Sequence, residues 1–483
     1  MKRRLSHVLE YARKKGATYA DVRWVKRHYQ NLSAENCKVE QVADNRSEGF
    51  GIRVIVRGRW GFSSTYRKDR RSLERMADEA IKIAKSSALT PGVPVKISKE
   101  RILKGKYSTY YQIDPFTVPL GEKLALIIAC TKEMMEVPMI RVARASLSFY
   151  REEKIFMNTE GTIAEQEILH SGGGTFATAV DGDEIQTRSY PASFDGNIAA
   201  AGFEYVEKLR LLENSRRIAR EAHDLLYAKQ CPSGIKDVIL GTAQLALQVH
   251  ESCGHPAELD RVLGTEASYA GTSFITPAKR WTLQYGSPEV SITADATLPG
   301  GLGSFGFDDE GVPAQRVFLV ERGIYKNYLT SRETAAEFDE RSNGTMRADG
   351  WSRIPLIRMT NINLEPGNWT TDEIIKTTKD GIYMETNHCW SIDERRLNFQ
   401  FGCEIAYEIK NGKKGKLIKN SSYTGITPEF WNSCDAIANR NEWKLWGIAH
   451  CGKGEPCQIM RVGHGTSPAR FRNVRVGIGK WKK

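Results

Sequence analysis

The sequence predicts an α+β protein in two parts, an N-terminal mixed α/β domain over residues 1–230 and a β-rich C-terminal domain over residues 231–483. Three observations predict it. A chain of 483 residues exceeds what one hydrophobic core usually supports. Apolar stripes at helical spacing are concentrated before residue 230. Beyond residue 280, short strand-like segments rich in glycine outnumber helical ones.

Taken in order, the N-terminus reads as a surface helix, with Leu5, Val8, Leu9 and Ala12 at helical spacing. Residues 35–66 contain two extended segments. Ile52, Val54 and Val56 alternate with other residues there, and the stretch Gly58 to Gly61 turns the chain back. A helix over Leu73 to Ser87 presents Met76, Ala80, Ile83 and Ala84 as one stripe, and a second helix runs from Gly121 to Glu136. Strand-like pieces follow over 141–162 and 172–190, with turns at Thr159 to Gly161 and Asp181 to Asp183. A long amphipathic helix, Tyr205 to Lys229, closes the first domain. The run Gln230-Cys231-Pro232-Ser233-Gly234 marks the boundary.

Composition narrows the class. No apolar run approaches the roughly eighteen residues of a membrane span. The basic N-terminus lacks the apolar core of a secretion signal, so a cytoplasmic protein is expected. Nine scattered cysteines show no framework spacing, which favours thiols, most of them in the core and one or two as ligands. The net charge of +12 raises the question of nucleic acid. The basic residues are dispersed among acidic ones, however, and no zinc-finger, RNA-binding or helix-turn-helix pattern accompanies them. A solvated basic surface that attracts acidic peptides is expected, without a nucleic-acid partner.

Chemistry concentrates in GTAQLALQVHESCGHPAELD. A strand over Asp237 to Leu240 feeds a helix starting near Thr242, a competent N-cap, and that helix carries His250, Glu251 and His255. A histidine followed by glutamate is the core of many zinc peptidase helices, where two imidazoles bind the ion and the carboxylate takes a proton from a water. Five residues along an α-helix separate side chains by about 140°. The helix must therefore rewind or end between the two rings. Gly254 eases such a distortion, and Pro256 disfavours helical dihedrals at His255. Cys253 falls on the core face with Ala246 and Val249, which argues against a nucleophilic role. A third ligand must come from elsewhere. Cys451, between the short strand Trp446 to Ala449 and a glycine-rich stretch, is a good source; His450, Cys457, His464 and Glu258 are rivals.

These residues make the chain resemble the TldD/PmbA family, in its TldD branch. The H-E-x-x-x-H motif stands as His250 to His255, and the Cys-Gly-Lys motif as Cys451-Gly452-Lys453. The run GHGTSP at Gly463 to Pro468, the closing FRNVRVG, the segment Pro355 to Gly367 and the N-terminal GFGIRVIVRGRWGFSST agree in order. The resemblance implies a zinc peptidase with one Zn2+ per chain held by His250, His255 and Cys451, and Glu251 as general base. It also implies a dimer, either a homodimer or a heterodimer with a PmbA-like paralogue, enclosing a chamber for short or unfolded peptides. The PmbA branch lacks the histidine motif, so its presence here points to the active subunit rather than a non-catalytic regulatory partner. One departure is the run Gly454-Glu455-Pro456-Cys457-Gln458, where the family carries a Gly-Gln-containing run. It keeps Cys457 as a rival ligand.

Overall fold

The computed structural model describes residues 1–193 and 195–477. The α+β class holds, with two large sheets and a strand-rich second half. In the first sheet, neighbouring strands run in the order Arg59–Thr65, Lys38–Val56, Tyr19–Glu35, Ile140–Asn158, Ile163–Asp181 and Lys104–Ser108. Glu184–Tyr190 and Asn197–Ala199 also pair with Ile163–Asp181. The predicted turn is a tight one, since Arg57 and Gly58 take φ of 54° and 70° between two long antiparallel strands.

Helices Lys2–Lys14 and Arg70–Ser87 pack on this sheet. Leu5, Val8, Ile52, Val54 and Met76 share one core cluster. Asp69 caps the second helix through the Ser72 N–H at 2.9 Å. Within its stripe Ile81 is buried, whereas Ile83, expected to be buried, is exposed. The helix Leu120–Met135 forms as expected. The single helix expected over Tyr205 to Lys229 is two, Phe203–Leu209 and Leu211–Leu226, broken at Arg210 in a left-handed conformation. Leu209 and Leu211 enter the same core cluster. On a continuous helix they would lie about 200° apart, so the break lets both bury.

The strand Tyr19–Glu35 was not expected, and its pattern explains why. Ala20 and Val22 are buried on one face while Asp21 and Arg23 are buried on the other, so apolar and polar residues do not sort by exposure. The inward charges are paired: Arg53 holds Asp21 at 2.7 Å, and Arg23 lies 3.7 Å from Asp309.

The second sheet runs Asp380–Ile392, Gly234–Leu240, Ala469–Val476, Ser422–Ile426, Asn398–Lys410, Lys413–Lys419 and Lys229–Gln230. Asp380–Ile392 also pairs with Asn398–Lys410, which closes five of these strands into a ring. A separate hairpin, Lys444–Lys453 with Gln458–Thr466, carries a bulge between Ile448 and Cys451. Among the described residues all nine cysteines are free thiols, and no helix is long and apolar enough to cross a membrane.

Candidate metal centre

The strand Gly234–Leu240 leads through Gly241, the N-cap, into the helix Thr242–Val249, all of whose residues are buried. Thr242 is thus the first helical residue rather than the cap. Winding then changes. His250–Gly254 form a π turn and His255–Ala257 a 3₁₀ turn, and the His255 N–H donates to the His250 carbonyl. An i→i+5 hydrogen bond stacks residue 255 over residue 250, which α winding could not do. The two rings meet edge to face with centroids 4.9 Å apart.

The device differs in detail from the one expected. Gly254 has an ordinary φ of −70° and His255 keeps helical dihedrals of −59° and −43°. Glycine is required at 254 for space, because a Cβ there would lie 2.0 Å from Met359 Sδ. Pro256 sits in the 3₁₀ turn, where its missing N–H is harmless.

The bulged hairpin brings Cys451 to the histidines. One ligand atom from each of His250, His255 and Cys451 lies within 4.8 Å of the others, and Cys451 Sγ is 3.7 Å from His255 Nε2. All three side chains are buried. Outer partners set the tautomers. His464 Nδ1 is 3.1 Å from the Ile362 carbonyl, which can only accept, so the His464 proton lies on Nδ1. His464 Nε2 must then accept from His250 Nδ1 at 2.8 Å, leaving the lone pair of His250 on Nε2. His255 Nδ1 donates to Glu258 Oε2 at 3.1 Å, which directs its Nε2 lone pair toward Cys451.

Electrostatics favour the same protonation state. Burial lowers the pKa of His250 and pushes His255 well below the usual imidazole range, so both rings are neutral near pH 7. Burial alone would raise the Cys451 thiol, but the nearby Arg358 guanidinium foremost opposes it, and the thiol lies below its ordinary value. Arg358 donates to the Cys451 carbonyl and, at 2.9 Å, to that of Gln458. Two neutral imidazoles and a thiol inclined to ionise make a donor set suited to zinc.

Glu251 lines the same cavity of about 640 Å³ as these three residues. Its Oε2 accepts from Arg396 Nη1, an arginine in the turn between Asp380–Ile392 and Asn398–Lys410.

Three sequence profiles match the chain. That of the PmbA/TldA metallopeptidase C-terminal domain covers residues 233–478, domain 1 covers 20–84, and the central domain covers 113–229. The chain belongs to the PmbA/TldD family. A metalloprotease of Methanocaldococcus jannaschii is 29% identical over 94% of this chain and 95% of its own length. A zinc metalloprotease TldD homolog of Saccharolobus solfataricus is 22% identical over 97% and 98%. A solved Thermotoga maritima structure shares the fold at TM-score 0.77 and 18% identity, covering 99% of this chain and all of the other. TldE of Thermococcus kodakarensis does so at 0.73 and 15%, covering 98% and 100%.

Within this PmbA/TldD fold the rival ligands have other places. His450 is exposed and pairs with Asp195 at 3.0 Å, and Cys457 is exposed in the hairpin turn. His464 and Glu258 stand behind the two histidines. Cys253 is buried, hydrogen-bonded by Tyr285, and burial pushes its thiol up to about 12. Lys453, third residue of the Cys-Gly-Lys run, is buried with its Nζ 2.7 Å from Asp260 and 3.4 Å from Glu258. It braces the carboxylate that orients His255. The glycines Gly301 and Gly303 pack on Asn361, whose Oδ1 accepts from the Gly303 N–H at 2.9 Å. Arg358 and Arg396 carried no signal in the sequence, because neither belongs to a local pattern with the residues it serves.

Proposed function

We propose that this chain is a zinc peptidase in which His250, His255 and Cys451 hold one ion and Glu251 is the general base. The observation that carries the reading is the convergence of three buried donor atoms within 4.8 Å beside a carboxylate lining the same cavity. The description of the Saccharolobus relative as a zinc metalloprotease supports the choice of metal. When bound, zinc supplies a Lewis acid that polarises a peptide carbonyl and acidifies a water.

The chain's own residues divide the remaining work. His464 and Glu258 hold the imidazoles in the tautomers that present Nε2. Arg396 engages Oε2 of Glu251 and fixes its orientation. Oε1 of Glu251 takes a proton from a water and returns it to the leaving amine. A thiolate donor offsets part of the metal's charge, so turnover is modest beside a three-histidine site.

The substrates are short or unfolded peptides, admitted to a chamber formed by two chains. The second chain is another copy or a PmbA-like paralogue. Residues 1–230 wall the chamber and make the dimer contact, while residues 231–483 carry the centre. Intact Glu251 and both histidines argue against a non-catalytic subunit.

Zinc per chain and cleavage of an unstructured peptide, read in parallel, test the proposal. Glu251→Gln should keep zinc and lose cleavage, and Cys451→Ala should lose zinc. Full cleavage by Glu251→Gln overturns the base, and undiminished zinc in Cys451→Ala overturns the ligand set.

A further inference from the structure

A second cavity, of about 810 Å³, adjoins the candidate centre. Asp195 and His450 line both, so the two spaces border one another at that pair. One wall comes from the strands Tyr19–Glu35, Ile140–Asn158 and Ile163–Asp181, and the facing wall from Arg347 to Asp349 and the returning strand Gln458–Thr466. Its volume falls in the range of small-ligand pockets, about 300–1,000 Å³.

The lining carries five cationic and six carboxylate side chains, and their direct pairing is uneven. Arg27 is paired with Glu152 and Asp349 at 2.7 and 2.8 Å. Lys154 is paired with Glu152 and Asp309, both at 2.9 Å. Arg144 holds Glu40 at 3.4 Å, and Asp308 accepts backbone N–H groups from Glu310, Val312 and Met346. With Asp195 paired to His450 at 3.0 Å, each carboxylate of the wall is engaged. Two guanidiniums remain, since among the described residues neither Arg347 nor Arg461 forms an ion pair.

Arg347 Nη1 donates to the carbonyls of Met359 and Arg461 at 3.0 and 2.7 Å, which spends hydrogen bonds but neutralises no charge. Arg461 Nη1 has no hydrogen-bond partner, and its guanidinium lies 4.4 Å over the Tyr150 ring. The same ring stacks on His170 at 5.3 Å. His170 is 2% exposed, and neither of its nitrogens has a partner. Burial, then Arg461 and Arg347, push its pKa well below the usual range, so the ring is a neutral donor close to both arginines. Water satisfies stranded N–H groups but gives neither guanidinium a directly paired counter-charge. A carboxylate answers both needs, because its two oxygens match the fork of a guanidinium.

We infer that this cavity is a carboxylate subsite, in which Arg461, Arg347 and His170 receive an acidic group of a peptide whose adjoining segment reaches the candidate centre. The inference rests on the peptidase reading for the identity of the ligand. The acidic group is either the peptide's C-terminal carboxylate or an Asp or Glu side chain. Phe305, Ile168 and Met460 in the same walls provide apolar contact for neighbouring side chains.

The test is equilibrium binding to full-length Glu251→Gln protein, in which bound peptide stays intact. One fluorescent unstructured peptide is used in four forms: free C-terminus or amide, each with an internal Glu or Gln. One carboxylate should bind about tenfold or more tightly than its neutral counterpart, and which one identifies the source. Arg461→Gln, added to the same protein, should shrink that ratio to within about twofold while neutral peptides bind as before, and Arg461→Lys should restore part of it. Equal binding of all four forms overturns the subsite. So does a preference that survives both Arg461→Gln and Arg347→Gln, which would assign it to the overall charge of +12. Zinc-loaded wild-type protein that cleaves none of these peptides while the preference persists overturns the peptidase reading and leaves the subsite standing.

Discussion

His464 Nε2 stands 2.8 Å from His250 Nδ1, so one buried imidazole fixes the proton of another. The relay ends on the Ile362 carbonyl, and burial keeps His464 itself well below the usual imidazole range. A pair of histidines that both remain neutral transmits tautomer rather than charge. On the proposed zinc reading, this relation makes His464 a determinant of metal affinity without making it a ligand.

His464→Phe should therefore weaken zinc binding by about 10- to 100-fold, the usual effect of removing an outer partner. His464→Gln, whose side-chain oxygen can accept from His250, should fall between the variant and the wild type. Competition against a chelator measures both. Wild-type affinity in His464→Phe would show that His250 needs no acceptor at Nδ1.

Glu258→Gln acts on the other ring and adds a stability penalty. Glu258 is fully buried, and its carboxylate is shared by His255 and Lys453 at 3.1 and 3.4 Å, with Arg261 at 3.8 Å. Neutralising one member of a buried charge cluster typically costs about 3–5 kcal/mol. Asp260, still bound to Lys453 at 2.7 Å, should hold the loss toward the lower end. The unfolding free energy of the metal-free protein gives this cost, and zinc affinity should fall alongside it.

Arg396→Gln should leave zinc content unchanged and reduce peptide cleavage by about 10- to 100-fold, because a misplaced base is costly. The split between metal content and turnover is what distinguishes orientation of Glu251 from support of the ligands. A parallel loss of zinc would assign Arg396 to the scaffold instead.

These residues mark where the sequence ceased to be legible. The histidine pair, its glutamate and the need for rewinding were readable because they lie within six residues, and local spacing states local geometry. The partners that complete the site come from 93 to 214 residues away in the chain, as with Arg358, Arg396 and His464, and no periodicity connects them. Most helices of the first half were readable because one face of each is apolar. The strand Tyr19–Glu35 was not, since Asp21, Arg23 and Arg27 point into a buried, ion-paired layer. The break at Arg210 was hidden for a related reason, because tertiary burial of two leucines overrode a continuous helical pattern.

That buried ionic layer predicts a pH dependence. Burial alone would raise Glu152, but Lys154 and Arg27 outweigh it and hold the carboxyl far below its ordinary 4.5. Asp309 is likewise lowered from 3.8, burial being outweighed by Lys154 and Arg23. A depressed folded pKa contributes stability that is fully present above the unfolded value and is lost as pH falls toward the folded one. The stabilisation contributed by Glu152 and Asp309 should therefore be lost from about pH 5 downward. Glu152→Gln should be less stable at pH 7, and the gap to the wild type should narrow by pH 3. Denaturant unfolding at both pH values measures the gap; a constant difference would mean that Glu152 titrates normally in the folded protein.

The rewound turn is set by packing at Gly254. Gly254 has ordinary dihedrals, so alanine there meets no backbone strain; the obstacle is Met359, whose Sδ would lie 2.0 Å from the new Cβ. Overpacking of this kind typically costs about 1–3 kcal/mol. Met359 is itself buried, so Met359→Ala alone should destabilise by about 2–5 kcal/mol through the cavity it leaves. In the double variant the added methyl enters that cavity. The two effects should then be non-additive, with a coupling of about 0.5–3 kcal/mol that favours the pair. Zinc affinity provides the functional counterpart. If Met359 fixes the turn that stacks His255 over His250, Gly254→Ala weakens zinc and Met359→Ala restores it in the double variant. Additive losses in both readouts would instead mean that the π turn yields without reference to Met359.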